Sequence, residues 1–215
     1  MTGKTHRIAG AIIAGGQSSR MQAGGVPGDK FLQKLGTKTV LEHVAKRLSP
    51  QVDQLFLNAN GDHGRLPKLG IPVTADSISA HGGPLVGLKT ALEYAAGFPL
   101  LLSVAADCPF LPLDLVSRLY EQQAKTGARI VLACSNGRVH PTCGLWKTEL
   151  LQPLIDWLAR TETASVLAFA QNVGFEEVEF ALVALTSNGA VYDPFFNINR
   201  PEDLEEAKLL IEAIQ

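Results

Sequence analysis

The stretch that most constrains this chain is an apolar run, Ile8 to Ala14, that stops abruptly at two glycines, Gly15 and Gly16. A run without polar side chains has no face to turn toward water, so it reads as a central strand covered on both sides. Beyond it lie hydroxyl and amide residues, then Arg20-Met21, a glycine-rich tract and Asp29-Lys30. A strand that empties into glycines presents backbone N–H groups with no Cβ to keep an anion away. Arg20 and Lys30 add charge that pairs with phosphates. The sequence therefore suggests a nucleotide-binding loop, although a plain strand-to-helix turn would use the same glycines. It lacks both the Gly-x-Gly-x-x-Gly spacing and a terminal Gly-Lys-Ser/Thr.

Composition narrows the classes. Of 215 residues, 46% are apolar, enough for a sizeable core, and 19% are charged, which argues against a disordered chain. The net charge of −2 comes with no dense Lys/Arg block, so no nucleic-acid groove is expected. Cys108, Cys134 and Cys143 form no Cys-x-x-Cys pair and sit among apolar neighbours, as buried thiols do. No signal peptide is evident, and the apolar runs are too short to cross a bilayer. A cytoplasmic protein without membrane partners is the expectation.

Taken in order, Thr39 and Glu42 form a capping box before a helix to Leu48 that ends at Ser49-Pro50. Leu55–Leu57 and Ile71–Thr74 read as short strands, and Pro84 opens a helix to Ala95. Leu100–Ala106 is a second buried strand, followed by a helix over Leu113–Lys125. Gly15, Asn58, Asp76 and Asp107 all fall just beyond predicted strands, where ligands of open α/β sheets bind. In the second half, Asn136-Gly137 joins two strands, Ala128–Ser135 and Val139–Lys147, as a hairpin. Helices follow at Leu150–Leu158 and Ser165–Gln171, then a strand over Phe175–Leu185 and a turn at Ser187–Gly189. The last helix runs from Pro201 to about Glu212, with Asn199 as its cap. The pattern gives an α/β fold in three layers, a mostly parallel sheet with helices on both faces. It reads as one domain, 1–215.

Several side chains are candidates for chemistry. Asp107 ends an apolar strand and supplies the hard oxygen that Mg²⁺ prefers, or serves as a turn or cap residue. Asn58 and Asn60 carry amides that can read a base edge or form turns. Gly83 and Pro84 stand at a helix entrance suited to an anion. Asn197 and Asn199 suggest polar ligand contact, or metal ligation through oxygen. His140 reads as a structural hydrogen-bonding residue, and no complete hydrolytic set appears in the chain.

Together Ile13-Ala14-Gly15-Gly16, Arg20-Met21, Asp29-Lys30, Asn58-Ala-Asn60, Asp76-Ser77, Gly83-Pro84-Leu85, Asp107-Cys-Pro109, His140-Pro-Thr142 and Asn197-Ile-Asn199 form an ordered set. That set resembles the molybdenum cofactor guanylyltransferases over nearly the whole chain. The resemblance implies a Rossmann-like nucleotidyltransferase fold and transfer of GMP from GTP to molybdenum-loaded molybdopterin, releasing pyrophosphate. By position it implies GTP contacts from Ile13, Ala14, Gly15, Lys30, Asn58, Asp76 and Asp107, with Gly16, Gly83 and Pro84 also among the binding residues. Asp107 would also hold Mg²⁺, and Arg20 and Lys30 would assist the transfer. His140, Asn197 and Asn199 fall on the pterin side. The donor part would span about 7–125 and the acceptor part about 126–215. Molybdoenzyme apoproteins or their chaperones are the implied partners. Three features depart from the family pattern: a longer stretch between Met21 and Asp29, Thr163-Ala164-Ser165 where relatives tend to show an arginine, and an expanded Glu179–Asp193. The alternatives are a relative that uses CTP or a sugar-phosphate acceptor, and a GTP-binding delivery protein that does not turn over.

Overall fold

The computed structural model describes residues 7–15, 28–77, 83–161, 164–185 and 190–214. In chain order its strands are β1 (Ile8–Ala14), β2 (Lys34–Leu35), β3 (Lys38–Thr39), β4 (Gln54–Ala59), β5 (Val73–Thr74), β6 (Leu100–Ala105), β7 (Ile130–Ser135), β8 (Arg138–Lys147), β9 (Glu176–Glu179), β10 (Val183–Ala184) and β11 (Val191–Tyr192). Its helices are α1 (Val40–Leu48), α2 (Pro84–Tyr94), α3 (Leu115–Thr126), α4 (Leu151–Leu158), α5 (Val166–Val173) and α6 (Pro201–Ile214).

β1 lies inside a seven-stranded sheet of order β5-β4-β1-β6-β8-β7-β9. It pairs in parallel with β4 and β6, so Ala14, Ala59 and Ala105 end at one edge of the sheet. β8 runs against both its neighbours. The reversal follows from the hairpin: Asn136 and Gly137 both have positive φ, 48° and 70°. That is the two-residue turn whose twist matches the strands it joins.

The apolar run of β1 is buried on both faces. Ile8 and Ile12 pack with Leu41, Val44 and Leu48 of α1 and with Leu115 and Leu119 of α3. Ala9, Ala11 and Ile13 pack with Leu85, Leu88 and Leu92 of α2, Leu154 of α4 and Phe169 of α5. The sheet is therefore the middle of three layers, as expected. Truncating a side chain as enclosed as Leu88 costs about 2–5 kcal/mol. The capping box is present as well: Glu42 N–H donates to Thr39 Oγ1 at 3.2 Å, and Thr39 N–H donates to Glu42 Oε2 at 2.6 Å. The bonds that Thr39 N–H and Oγ1 donate to Glu42 Oε2 hold the Glu42 carboxyl below its ordinary pKa. A third cluster seats α6, through Leu204, Ala207 and Ile211, against Leu35, Val40, Phe110 and Ile198. The last helix thus packs beside β2 and the start of α1, in the first half of the chain.

Four local expectations change. Asn58 is inside β4, paired opposite Ile13 and buried, because the strand runs two residues past Leu57. α3 starts at Leu115, leaving Leu113 exposed in the approach to the helix. The run from Phe175 to Leu185 is two strands, not one. β9 ends where buried Phe180 donates its N–H to Cys134 O at 2.7 Å, and β10 then pairs with β11 in a separate ribbon. The cap of α6 is also not the Asn199 side chain. Asp203 Oδ2 accepts from the N–H groups of Asn199, at 2.8 Å, and Arg200, at 2.9 Å. The turn expected at Ser187–Gly189 lies outside the described residues.

Candidate active site

Where β1 and β6 end, an open cleft of about 190 Å³ is lined by Ile13, Ala14, Gly15, Lys30, Phe31, Pro84, Ala105, Ala106, Asp107, Thr142, Asn197 and Asn199. Eight of these, Ile13, Ala14, Gly15, Lys30, Pro84, Asp107, Asn197 and Asn199, are the residues expected from the sequence. Gly16 and Arg20 lie outside the described residues.

Each wall has a physical cause. Gly15 follows β1, and among the described residues a Cβ placed there would meet only Ile13 Cγ2, at 3.7 Å. Nothing in the described protein demands a glycine at this position, so the free space belongs to the cleft. Gly83 has φ 103°, a conformation that L side chains rarely adopt, and it turns the chain into α2 with Pro84 at the first helical position. Lys30 stands on a short 3₁₀ turn, Lys30–Leu32, anchored by buried Phe31.

The charges converge. Lys30 Nζ forms an ion pair with Asp107 Oδ2 and donates to Asn199 Oδ1 at 2.8 Å. Asp107 is buried just beyond β6, and its backbone carbonyl accepts from Ile198 N–H at 3.1 Å. That bond lays the Phe196–Asn199 segment beside the carboxylate. The Cys108 thiol donates to Asn197 Oδ1 at 2.6 Å. A hydrogen bond with Cys143, complete burial and the nearby Asp107 carboxylate all push this thiol well above its ordinary pKa, so it stays a donor. Each asparagine carbonyl thus accepts one bond, from a thiol or from an ammonium. Among the described residues neither NH₂ group has a partner, and an NH₂ group suits an anion.

Asp76 and Asn58 stand apart from this cleft, at the ends of β5 and β4. Asp76 Oδ1 accepts from Asn58 Nδ2 at 2.8 Å and from Thr90 Oγ1 at 2.9 Å. Asn60 Nδ2 donates to Asp76 Oδ2, and Asp76 N–H donates to Asn60 Oδ1, both at 2.8 Å. Arg65 ties this end to the Lys30 turn, donating to Asp29 Oδ2 and to Asn60 O at 2.8 Å each. From β5 to β6 is three strand spacings, or about 14 Å. That is the scale of an extended nucleoside triphosphate.

His140 is not among the residues lining the cleft. It is buried, stacked on Phe195 with ring centroids 4.6 Å apart, and within 2.7 Å of Ser135 Oγ. Ser135 donates onward to the Asp193 carboxylate at 2.8 Å, and Asp193 Oδ1 accepts from Phe195 N–H at 2.8 Å. Burial, aided by Arg138 and opposed by Asp193 and Glu179, lowers the His140 pKa. This serine, histidine and aspartate meet in space, but the serine is enclosed and its proton is committed to the aspartate. The set anchors the segment that carries Asn197 and presents no nucleophile. Sequence reasoning missed Thr90, Thr142 and the thiol–amide bond of Cys108. A threonine on the otherwise apolar face of a helix was the available signal for Thr90.

The match to known proteins fits this geometry. Residues 10–174 match the family model described as the MobA-like NTP transferase domain. A molybdenum cofactor guanylyltransferase of Brucella ovis is 56% identical over 209 residues, covering 97% of this chain and 95% of its own. Among solved structures, molybdopterin-guanine dinucleotide biosynthesis protein A from Archaeoglobus fulgidus superposes with a TM-score of 0.71 at 19% identity, covering 95% of this chain and 98% of that one. A 2-C-methyl-D-erythritol 4-phosphate cytidylyltransferase from Thermus thermophilus gives 0.64 at 20% identity, with 94% and 98% covered. These two structural likenesses establish the fold alone.

Proposed function

From the premise that this chain belongs to the MobA-like NTP transferase domain family, we propose that it transfers GMP from GTP to molybdenum-loaded molybdopterin, forming the guanine dinucleotide cofactor and pyrophosphate. The observation that carries the reading is the convergence of Gly15, Lys30, Asp107, Asn197 and Asn199 on one cleft at the C-terminal edge of the sheet. The 56% identity over nearly the full length selects guanine and the pterin among the substrates this fold accepts.

In this reading the base lies toward Asp76 and Asn58, and the triphosphate runs along the edge to Gly15, Lys30 and Asp107. A phosphate oxygen of molybdopterin attacks the α-phosphorus of GTP in line. The new P–O bond forms as the bond to the β-phosphate breaks, and pyrophosphate carries away the charge. The attacking oxygen is already anionic, so no side chain has to remove a proton. The chain's task is alignment and charge neutralisation. Lys30 moves from Asp107 toward the phosphates, and the NH₂ groups of Asn197 and Asn199 hold the acceptor phosphate. Pro84 and Phe31 limit water at the reacting end.

Mg²⁺ suits the residues present. It typically takes one or two carboxylates, keeping waters and substrate phosphates for its other ligands. Asp107 already holds a cation against one oxygen. Among the described residues no three His, Cys, Asp or Glu side chains gather into a self-sufficient metal site. When bound, the ion supplies Lewis-acid stabilisation of phosphate charge. We read the chain as one nucleotidyltransferase domain acting in the cytoplasm and passing its product to molybdoenzyme apoproteins or their chaperones. No helix among the described residues is long and apolar enough to cross a membrane.

The test is pyrophosphate release from purified protein with Mg²⁺ and molybdenum-loaded molybdopterin, run with GTP, CTP, ATP and UTP. Release with GTP alone and a guanine dinucleotide product is expected. Release with CTP would reassign the donor. Tight GTP binding without release would favour a delivery protein.

A further inference from the structure

Asp76 has no charged partner in the bonds described, yet its carboxylate is held from three directions. A carboxylate offers about four lone-pair positions. On Oδ1 two are filled, by the amide of Asn58 and the hydroxyl of Thr90, and on Oδ2 one is filled by the amide of Asn60. Asn60 also accepts from the Asp76 backbone N–H, so a single side chain grips both parts of the residue. What remains is one edge of an acceptor-only group.

Thr90 is the unusual member. It is buried in the second turn of α2, where a threonine hydroxyl can bond back to its own helix carbonyl four residues earlier. Here it reaches across to the loop after β5. It can do so because α2 lies hard against the sheet. A Cβ on Gly87, three residues before it, would come within 2.7 Å of both Asn58 Oδ1 and Ile13 Cγ2. The helix face carrying Gly87 and Thr90 is thus pressed onto the strand ends that carry Asn58 and Ile13.

We propose that Thr90 and Asn60 are positioning residues for base recognition. They fix the Asp76 carboxylate so that its one open position, on Oδ2, accepts from the 2-amino group of guanine. Adenine has no amine at that ring position, and cytosine places a carbonyl oxygen there that would face the carboxylate with no proton between them. The inference rests on the reading that the base lies at Asp76. It goes beyond that reading in assigning discrimination to two residues that need not touch the nucleotide.

The test is calorimetric binding of GTP, of inosine triphosphate, which lacks the 2-amino group, and of inorganic tripolyphosphate, all with Mg²⁺. Wild type should prefer GTP to inosine triphosphate. Thr90→Val should weaken GTP about tenfold, narrow that preference several-fold and leave tripolyphosphate unchanged. Thr90→Ser, which keeps the hydroxyl, should retain the preference. Asn60→Ala should narrow it in the same way, and because Asn60 is exposed, this variant carries the test should Thr90→Val fold poorly. Equal weakening of all three ligands, or an intact preference in both Thr90→Val and Asn60→Ala, overturns the inference. A wild type without preference, or an Asp76→Asn variant that keeps it, removes instead the placement of the base, and the inference with it.

Discussion

At the Asp76 end of the strand edge, uncharged donors hold one carboxylate, and the partners lie 14 to 18 residues apart in sequence. At the Asp107 end an ammonium holds a carboxylate and an amide whose own partner is 169 residues away. Under the proposed function the first arrangement keeps its three bonds and offers the remaining position on Oδ2. In the second, Lys30 cannot neutralise a phosphate while engaged with Asp107. One end is then set in advance, and the other exchanges partners to work. Specificity and catalysis take different mechanical characters along one strand edge.

The largest expected effect tests the exchanging end. Asp107→Asn should lower turnover by about 100-fold or more, the scale of losing an electrostatic element of a transfer site. Its thermal midpoint should move little; equal loss of folded protein would show that the residue serves the fold. Next comes Lys30→Ala. It should reduce turnover at least tenfold and leave a largely buried carboxylate unpaired, costing about 1–3 kcal/mol. Denaturant titration should show that deficit shrinking when Mg²⁺ is added, since a second cation can take the ammonium's place. A deficit indifferent to Mg²⁺ would break the idea of exchange at Asp107.

Gly15→Ala probes the junction between the two ends. Among the described residues the added methyl meets only Ile13, at 3.7 Å, so stability should stay within about 0.5 kcal/mol while GTP affinity falls several-fold. Unchanged affinity would mean that the nucleotide passes elsewhere.

The smallest effect concerns the segment that carries Asn197. His140 has a lowered pKa in the folded protein, so between that value and about 6.5 the unfolded chain binds more protons. Its contribution to stability is therefore present above about pH 6.5 and is lost as pH falls through that window. His140→Gln should flatten this part of the curve of urea midpoint against pH. An unchanged slope would show that burial of His140 does not govern this window.

Much of the frame was legible from local chemistry. The two-sided burial of β1, the Thr39–Glu42 box, the Asn136-Gly137 hairpin and the start of α6 at Pro201 each depend on residues close in sequence. The convergence of Gly15, Lys30, Asp107, Asn197 and Asn199 was legible as a set through resemblance, although no local rule joins them. Tertiary partners decided the rest. Asn58 becomes a strand residue because β4 pairs with β1 two positions further than its apolar core suggests. The Phe175–Leu185 run breaks because Phe180 finds Cys134 and the core while its neighbours remain outside. The direction of the Asn197 and Asn199 amides depends on a thiol and an ammonium from distant strands and turns, which no spacing in the chain reveals.

The bond between Lys30 and Asn199 also sets an order of events during synthesis. At the usual pace of about 5–20 residues per second, the 169 residues between them take roughly ten to thirty seconds to make. Until Asn199 has been made, Lys30 and Asp107 lack the amide that joins them, and the transfer site is unfinished however much of the sheet has formed.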